Sequence, residues 1–349
     1  MRFLIKNILK TLLFLCISIL FFEGFLRFTE ISLPSYVYDS PDFGRIQKPG
    51  VNYFDINNEG FGMGTVNKYG YIGPAYSKDK HENTLRIALV GDSYVEGSYL
   101  FDRQHFRYIL EHRLSNLLQQ KVEVLNFGVG GYNLRDIYID LSKRVLKYKP
   151  NIILVFIRNG NFYQKDKNPG PDLKLEGDSL KITYNYKNTE QYKLRKKFQL
   201  IRDYSIGNLV KESYEEYYRK NYEKTLFDKF YKLFYSNIKK KKDVKTADGD
   251  YGINRAILES MKKYNNTSTK IFIVKSTDFP GDYDNLVSRL QLSVIKLDSV
   301  LSKYAKGTDV LHYWKATNED GHWNYKAQNI IGNYLADSMY KYLYKKDSM

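Results

Sequence analysis

From about residue 86 onward, short apolar runs alternate with segments whose apolar residues recur at helical spacing. Three of the runs, residues 86–90, 122–128 and 151–157, are apolar almost throughout. The segment after the first run carries Phe106 and Leu110 four positions apart, which is typical of one face of a helix. Strands that are apolar on both sides and separated by helices indicate a parallel sheet covered on both faces.

The same alternation returns toward the end of the chain and predicts further elements there. These are a helix at 253–264, a strand at 270–276, one helix near 286–304, a strand at 308–314 and a last helix from Tyr325. The pattern as a whole predicts an α/β fold, a three-layer α/β/α sandwich with a mainly parallel sheet.

Two stretches interrupt this pattern and suggest the domain organisation. Residues 29–85 are rich in Gly, Pro, Asn and Tyr, with turn signals every few positions, and we expect a short lead-in with a few strands. Residues 165–250 are rich in Tyr and Lys with helical spacing, which predicts a helical insertion lying over the sheet. The main domain then covers residues 86–349.

The first 28 residues form an export segment. Arg2, Lys6 and Lys10 precede an uncharged run at residues 11–22, whose length matches a signal-peptide core. No small-residue cleavage site follows, and the next residues are bulky.

If Lys10 extends its ammonium group toward the membrane surface and Glu23 lies at the interface, residues 8–28 are long enough to span a bilayer. We therefore expect an uncleaved N-terminal transmembrane helix at residues 1–28, with a cleaved signal as the alternative. Basic residues before the segment place the N-terminus inside and the main domain in the extracytoplasmic space, periplasmic or at the cell surface.

Composition excludes several classes of protein. With 43% hydrophobic and 27% charged residues among 349, the chain is globular rather than disordered. A single cysteine, Cys16, excludes an intrachain disulfide framework and a cysteine-based metal cluster. The net charge of +16 is spread among lysines that accompany 33 tyrosines, and export removes nucleic acid as a partner. The densest basic run, residues 239–242, is interpreted as a solvated loop.

Four polar segments follow predicted strands, at the end of a parallel sheet where ligands bind. They are Gly91-Asp92-Ser93, residues 126–133, residues 158–163 and residues 319–324.

These segments contain the residue types that acyl transfer requires. A serine hydroxyl needs a base to take its proton, and the base needs a third group to orient it. Ser93 is the candidate nucleophile and His322 the candidate base. Asp320 is the candidate orienting acid because residues two apart in an extended segment point to one side, and Glu319 is the second choice. The remaining histidines are interpreted as structural: His81, His105, His112 and His312.

The reaction also places negative charge on a carbonyl oxygen, which donors must stabilise. The Ser93 amide, the Gly131 amide and the Asn161 side chain are the candidate oxyanion donors, with Asn159 as an alternative to Asn161. Glycine at position 131 lets the backbone approach a substrate without a Cβ in the way.

In these four blocks the chain resembles the SGNH (GDSL-type) hydrolase superfamily. Gly91-Asp92-Ser93 matches the nucleophile block, Gly131 the second, Gly160-Asn161 the third, and Asp320 with His322 the last. The resemblance covers residue 86 to the C-terminus apart from the inserted middle, and further matches before Ser93 and after His322 point to the membrane-anchored bacterial branch.

The resemblance implies a flavodoxin-like fold and the roles given above for the triad and the oxyanion donors, with no metal or organic cofactor. Phe162 stands where family members usually carry Asp, and Asp320 lies two rather than three residues before the histidine.

The expected activity is that of an extracytoplasmic serine esterase acting on carboxylic esters, with small acyl groups such as acetyl on cell-envelope glycans. One alternative is an O-acyltransferase on an envelope polysaccharide, which shares the chemistry up to the acyl-enzyme. The other is an inactive envelope-binding module that uses the Tyr- and Lys-rich insertion to hold an anionic polymer. The expected partners are an acyl-ester substrate and, through the N-terminal helix, the membrane.

Overall fold

The structure is a computed structural model that describes residues 2–57, 59–163, 170–177, 179–220, 251–266, 268–305 and 311–347. The basic run at residues 239–242 and the first part of the strand predicted at 308–314 lie outside these ranges.

Thirteen strands and ten α-helices occur in the described residues. The strands are β1 Val37–Ser40, β2 Gly44–Gln47, β3 Asn52–Asn57, β4 Gly60–Thr65, β5 Leu85–Gly91, β6 Val122–Gly128, β7 Ile152–Ile157, β8 Asp172–Glu176, β9 Ser179–Thr183, β10 Lys270–Lys275, β11 Ser293–Lys296, β12 Tyr313–Trp314 and β13 Glu319–Asp320. The helices are α1 Arg2–Thr29, α2 Ser93–Glu96, α3 Phe106–Leu118, α4 Leu134–Lys143, α5 Glu190–Arg202, α6 Ser205–Lys220, α7 Tyr251–Tyr264, α8 Tyr283–Arg289, α9 Leu297–Tyr304 and α10 Tyr325–Asp347. Short 3-10 turns lie at Asp102–Gln104, Val145–Tyr148, Asn159–Phe162 and Asn185–Asn188.

In the part of the chain that the structure describes, the central sheet has five strands, all parallel, in the order β11-β10-β7-β5-β6. Counted along the chain within this sheet, the order is 2-1-3-4-5, which is the flavodoxin-like arrangement. The predicted mainly parallel sheet is confirmed. The strand order reverses between β5 and β7, and the crevice beyond the carboxyl ends of these two strands is where such sheets bind ligands.

Side chains that alternate along β5 enter two different cores, one on each face of the sheet. Ala88 and Val90 pack in a cluster that includes Ile137 of α4 and Ile257 of α7. Ile87 and Leu89 pack in a second cluster with residues of α3 and α10, among them Leu110 and Ile331. Both faces are therefore covered by helices, which explains why the strand has no polar side.

One predicted helix near the C-terminus was wrong, and the strand predicted at 308–314 is a strand at its last two residues only, among those that the structure describes. The helix expected near 286–304 is divided into α8 and α9 by the edge strand β11, and Gln291 between them has a φ of 54° that no helix continues through. Tyr313 and Trp314 form β12, which pairs antiparallel with β13 outside the main sheet. A short run of β-branched residues such as Val294-Ile295 does not distinguish an edge strand from a helical turn by periodicity.

The lead-in folds into two antiparallel hairpins, β1–β2 and β3–β4. The β3–β4 hairpin lies directly against the segment that follows α2, since a Cβ on Gly62 would come within 2.2 Å of the Ser98 carbonyl oxygen. Glycine at this position permits the close approach, and the approach brings the turn between β3 and β4 to the end of β5.

The described part of the insertion contains β8–β9, α5 and α6. The β8–β9 hairpin packs on α7, and Leu173 of β8 joins the core on that face. Helix α5 packs on β1 of the lead-in and α6 packs on α1, so these two helices cover the lead-in and the N-terminal helix rather than the sheet.

Helix α1 is the one helix in the described residues that is long and apolar enough to cross a membrane. Its most apolar 18-residue window has a mean hydropathy of 2.0 and is not buried within the fold. Within the described residues, its last turns contact the folded domain through α6 and the residues just before α6.

Candidate active site

The candidate nucleophile Ser93 follows β5 at the point where the strand order reverses. It is the first residue of α2, and the side chain of Asp92 caps this helix by accepting a hydrogen bond from the Tyr94 amide. The turn is tight, because a Cβ on Gly91 would come within 2.5 Å of Val95 Cγ2. The hydroxyl is thereby presented at the rim of the sheet, half-buried rather than enclosed.

His322 lies within hydrogen-bonding distance of that hydroxyl, with 2.8 Å between its Nε2 and Ser93 Oγ. Its ring is held between Tyr94 and Tyr99, whose ring centroids are 4.6 and 4.8 Å from the imidazole centroid. Its carbonyl oxygen accepts a hydrogen bond of 3.0 Å from Trp314 Nε1. Ring and backbone are both fixed, so the imidazole has little freedom to turn away from Ser93.

The group that orients His322 is Glu59, in the turn between β3 and β4. Glu59 Oε1 lies 2.6 Å from His322 Nδ1 and also accepts a hydrogen bond of 2.8 Å from the His322 amide. The carboxyl group is buried, with 5% of the residue exposed. Gly321 makes room for it, because a Cβ there would come within 2.3 Å of Glu59 Oε1.

Burial raises the pKa of the Glu59 carboxyl, but the hydrogen bonds and positive charge that His322 offers lower it by more, so that the net pKa is below the usual 4.5. Glu59 is therefore ionised at neutral pH. A carboxylate facing Nδ1 favours the tautomer in which Nδ1 carries the proton and Nε2 accepts from the serine hydroxyl.

The structure does not bring Asp320 to this position. Asp320 is exposed in β13, opposite Tyr313, and Glu319 pairs with Trp314 in the same two-residue strand. The rule that residues two apart share a side holds only within a strand, and the chain bends after Asp320 so that the imidazole turns toward the lead-in. Glu59, which the sequence analysis missed, contacts His322 Nδ1 in place of Asp320 and Glu319.

The signal for Glu59 in the sequence is weak. It is an acidic residue in the turn-rich stretch between Asn57 and Gly60, 263 positions before His322. Its side chain meets His322 only because the β3–β4 hairpin folds against the end of β5.

The Ser93 and Gly131 amides, two of the three predicted oxyanion donors, form no hydrogen bond within the described part of the protein. Gly131 is exposed, with a φ of 86° that suits glycine, and its neighbour Gly130 lies against Ser93, since a Cβ on Gly130 would be 3.8 Å from Ser93 Cβ. Both amides therefore remain candidate oxyanion donors, and the loop that carries Gly131 contacts Ser93 through Gly130.

The third predicted donor, Asn161, is occupied. Its Nδ2 donates to Asp92 Oδ2 at 3.1 Å and to the Tyr132 carbonyl oxygen at 2.9 Å, while its Oδ1 accepts from the Arg158 amide. Both amide hydrogens are used, so Asn161 holds Asp92 and the loop after β6 rather than offering a donor to the substrate. Asn159 is exposed and bonds to residues 277 and 278, away from Ser93.

Further residues missed by the sequence analysis support the nucleophile and the glycine loop. The guanidinium of Arg158 donates to Asp92 Oδ2 at 2.6 Å and lies over the Tyr94 ring. Glu96 is 3% exposed and accepts a hydrogen bond of 2.8 Å from the Gly130 amide and one of 2.9 Å from Gln47 Nε2. Gln47 also donates to the Gly128 carbonyl oxygen at 2.7 Å, so β2 of the lead-in braces the loop that carries Gly131.

Phe162, which departs from the family pattern, is buried in the core. Its ring packs on Phe279 and Tyr283, with centroid distances of 5.0 and 4.2 Å. Apolar packing therefore fixes the loop after β7 at this position.

A cavity of about 220 Å³ opens beside Ser93 and His322. Its wall combines the lead-in, the segment after α2 and the insertion, and much of it is polar or charged. Residues that contribute such groups are Tyr36, Arg45, Asp55, Asn57, Ser98 and Asn208.

Comparison with known proteins gives matches among solved structures. No model of a protein family matches the chain, and no curated protein does. A lipase/acylhydrolase from Enterococcus faecalis aligns at 14% identity over 74% of this chain and 96% of its own, with a TM-score of 0.39. An acetylxylan esterase from Geobacillus stearothermophilus, solved as a catalytic mutant, aligns at 11% identity over 73% and 93%, with a TM-score of 0.37. A proposed lipolytic protein of the G-D-S-L family from Desulfitobacterium hafniense aligns at 12% identity over 72% and 98%, with a TM-score of 0.35.

The chain thus resembles SGNH hydrolases in its sequence blocks, and the proteins with which it aligns include G-D-S-L and acetylxylan esterase structures.

Proposed function

We propose that the protein is a serine ester hydrolase with Ser93 as nucleophile, His322 as base and Glu59 as the orienting acid. The observation that carries this proposal is the continuous chain of two short hydrogen bonds, 2.8 Å from Ser93 Oγ to His322 Nε2 and 2.6 Å from His322 Nδ1 to Glu59 Oε1. A structural ion pair alone has no need of a serine at the far nitrogen or of amide donors beside it.

In the proposed reaction Ser93 Oγ attacks the ester carbonyl carbon while His322 Nε2 takes the hydroxyl proton. The Glu59 carboxylate stabilises the imidazolium that forms, and the Ser93 and Gly131 amides donate to the oxyanion. His322 then gives its proton to the departing alcohol oxygen, leaving an acyl-enzyme. Water, deprotonated by the same imidazole, releases the acid and restores Ser93.

The cavity supports a short acyl group and a polar alcohol. About 220 Å³ is small beside the roughly 300–1,000 Å³ of sites that bury drug-sized ligands. Charged and amide groups such as Asp55, Asn57 and Asn208 suit the hydroxyls of a sugar and disfavour an alkyl chain. We therefore propose small acyl esters, acetyl in the first place, on cell-envelope glycans.

We further propose that α1 anchors the protein in the cytoplasmic membrane, with the N-terminus inside and the catalytic domain outside. Retention of the helix is supported by its contacts with the folded domain: Glu23 accepts hydrogen bonds from the Ser205 and Ile206 amides, and Arg27 donates to the Asp203 carbonyl oxygen. A cleaved signal would not be expected to hold part of the mature domain in place.

The catalytic proposal is tested with the full-length protein in detergent and a fluorophosphonate probe. The probe should label Ser93 covalently, and Ser93→Ala should abolish both labelling and hydrolysis of p-nitrophenyl acetate while the protein stays folded. A folded wild-type protein that neither reacts with the probe nor hydrolyses the ester would refute the proposal. Product analysis with an acetylated oligosaccharide, with and without an acceptor glycan, separates hydrolysis from acyl transfer.

The anchor is tested by alkaline carbonate extraction of membranes from expressing cells, followed by N-terminal sequencing. We expect the protein to remain in the membrane fraction with residues 1–28 present. Release of a shortened chain would establish a cleaved signal instead.

A further inference from the structure

Several large apolar side chains near the end of α1 are exposed in the folded protein. Five of them are Phe28, Ile31, Leu200, Ile201 and Tyr204, and between 53% and 89% of each is accessible. We call this set the apolar rim. The apolar rim comes from two segments that are far apart in sequence and that the fold brings together. Phe28 and Ile31 lie at and just after the end of α1, and Leu200, Ile201 and Tyr204 lie at and just after the end of α5.

Hydrogen bonds fix the two segments side by side. Glu23 accepts from the Ser205 and Ile206 amides at 2.9 and 3.0 Å, and Arg27 donates to the Asp203 carbonyl oxygen at 3.2 Å. Glu23 lies six residues before the end of α1, or about 9 Å along the helix axis at 1.5 Å per residue. Residues 203–206 therefore lie beside the last turns of α1, not beyond its end.

Helix α5 changes from basic to apolar along one side as it approaches α1. Lys193, Lys196 and Lys197 are exposed in its middle. Leu200 lies four residues after Lys196 and Ile201 four after Lys197, the spacing of neighbours on one helix face, and Tyr204 follows just past the helix end. A helix that lies at a membrane surface has lysines at headgroup level and apolar and aromatic side chains toward the lipid, which is the order found along this side of α5.

We propose that the apolar rim inserts into the leaflet from which α1 emerges, and that this holds the catalytic cavity at the membrane surface. The inference rests on the proposed membrane anchor and adds a second, peripheral contact with lipid. Continuity with α1 identifies the occupant of the rim as the lipid bilayer. The bilayer that surrounds the last turns of α1 also reaches the rim side chains, because their segment is held beside those turns by the backbone of residues 203, 205 and 206.

The segment that contacts α1 also lines the catalytic cavity. Arg202 and Asn208, which flank the contact with α1, both contribute to the cavity wall beside Ser93. Asn208 is only four residues beyond Tyr204, about one helical turn. The cavity is therefore held close to the lipid headgroups, and the esters it meets are those presented at the membrane surface.

The proposal is tested on the full-length chain in phosphatidylcholine–phosphatidylglycerol vesicles, with Cys16→Ser as the background. Single cysteines at Leu200, Ile201 and Tyr204 are labelled with bimane, and quenching by brominated phosphatidylcholine is measured. Leu20→Cys in α1 serves as the positive control, and Tyr304→Cys, exposed at the end of α9, as the matched surface control. We expect quenching at the rim positions to exceed that at position 304 by about threefold or more, since only inserted groups reach the brominated chains.

Quenching at position 20 with none at the three rim positions would overturn the proposal while leaving the anchor intact. Absence of quenching at position 20 as well would overturn the anchor and the rim together. Neither outcome depends on whether the protein is an esterase.

The effect on catalysis is measured with Leu200→Ser, Ile201→Ser and Tyr204→Ser combined. Hydrolysis of soluble p-nitrophenyl acetate should be unchanged, whereas hydrolysis of an acetyl ester carried on the vesicle surface should fall about fivefold as the cavity loses its fixed position. Unchanged hydrolysis of the vesicle-borne ester would show that the rim does not position the site.

Discussion

Glu59 Oε1 accepts two hydrogen bonds from the same residue, one from the imidazole Nδ1 and one from the backbone amide of His322. The two contacts set both the position and the tautomer of the base with a single buried oxygen atom. This pair of hydrogen bonds depends on the absence of a side chain at position 321, where a Cβ would occupy the space of the carboxylate. At the scale of the residue, the proposed triad therefore requires a glycine at position 321, next to His322, to leave space for the Glu59 carboxylate.

Glu59→Gln should reduce kcat by about 10²- to 10⁴-fold, because a neutral amide does not stabilise the imidazolium formed during acyl transfer. Asp320→Asn is the matched control, since Asp320 is exposed and should leave kcat within about twofold of wild type. Steady-state hydrolysis of p-nitrophenyl acetate measures both. A large loss in Asp320→Asn with little change in Glu59→Gln would reassign the acid to the residue that the sequence analysis favoured.

Gly321→Ala should displace the Glu59 carboxylate and lower kcat by about tenfold or more, while KM changes little, because base orientation is lost rather than substrate binding. Gly252→Ala is a suitable control: its Cβ would meet no atom of the described residues within 4 Å, and it lies in helix α7. That variant should keep full activity and gain up to about 1 kcal/mol of stability. Equal activity of the two variants would contradict the close approach of Glu59 to position 321.

At the scale of the element, strand β2 reaches across to the loop after β6 through Gln47. Its Nε2 bonds both the buried carboxylate of Glu96 and the Gly128 carbonyl oxygen, and Glu96 in turn holds the Gly130 amide. An element outside the central sheet thus braces the loop that supplies Gly131.

Gln47→Met keeps the side-chain length but removes both donated hydrogen bonds. Each of these buried acceptors then loses one donor, although Glu96 Oε1 keeps the long hydrogen bond from the Tyr36 hydroxyl. The loss should lower the free energy of unfolding by about 1–3 kcal/mol and reduce kcat through the loosened glycine loop. Thermal denaturation and ester hydrolysis measure the two effects. A stable variant with wild-type kcat would show that the loop holds its position without β2.

The N-cap residue of helix α3 is a buried histidine, His105. Because this histidine can titrate, the stability of the folded protein depends on pH. His105 Nδ1 accepts the Arg107 amide and Nε2 contacts the Val95 carbonyl oxygen, so the ring must be neutral to cap the helix. Burial, with a smaller effect from Arg107, lowers the pKa of His105 from 6.5 to about 3.

The unfolded chain binds this proton near pH 6.5 and the folded chain only near pH 3, so the stabilisation from His105 is complete above pH 6.5 and is lost as the pH falls between these values. His105→Asn retains an acceptor for the Arg107 amide but does not titrate. We expect its free energy of unfolding, measured by urea denaturation from pH 7 to pH 4, to decrease less steeply than that of wild type. Parallel curves would mean that His105 does not govern the acid response.

At the scale of the whole molecule, the cavity draws its walls from three parts of the chain: the sheet domain, the lead-in and the insertion. Ser93 and His322 belong to the first, Asp55 to the second and Asn208 to the third. We therefore expect the substrate preference to depend on how the sheet domain, the lead-in and the insertion pack together around the cavity.

The small polar cavity predicts a preference for short acyl chains. We expect kcat/KM for p-nitrophenyl acetate to exceed that for the octanoate by at least about tenfold, because an alkyl chain gains little from burial among charged groups. Hydrolysis by Ser93→Ala provides the background rate for each ester. Equal or faster hydrolysis of the octanoate would indicate an acyl site elsewhere than this cavity.

Periodicity and composition alone predicted much of the fold. Strands apolar on both sides occur only in sheets covered on both faces, and β5, β6, β7 and β10 lie within a residue or so of their predicted positions. Short elements were harder to predict: β11 and β12 have only four and two residues, too few for a periodic pattern to identify.

The sequence by itself was enough to predict Ser93 and His322 as candidate site residues, because each stands in a local motif after a predictable strand or before a predictable helix. Only the tertiary structure decided that the Glu59 carboxylate contacts His322. It also decided that the side-chain amide of Asn161 donates its hydrogen bonds to Asp92 and to the Tyr132 carbonyl oxygen. The physical reason is the range of the interactions. Strand and helix patterns are set by neighbours along the chain, whereas a carboxylate reaches its imidazole only after a hairpin 263 residues away has packed against the end of β5.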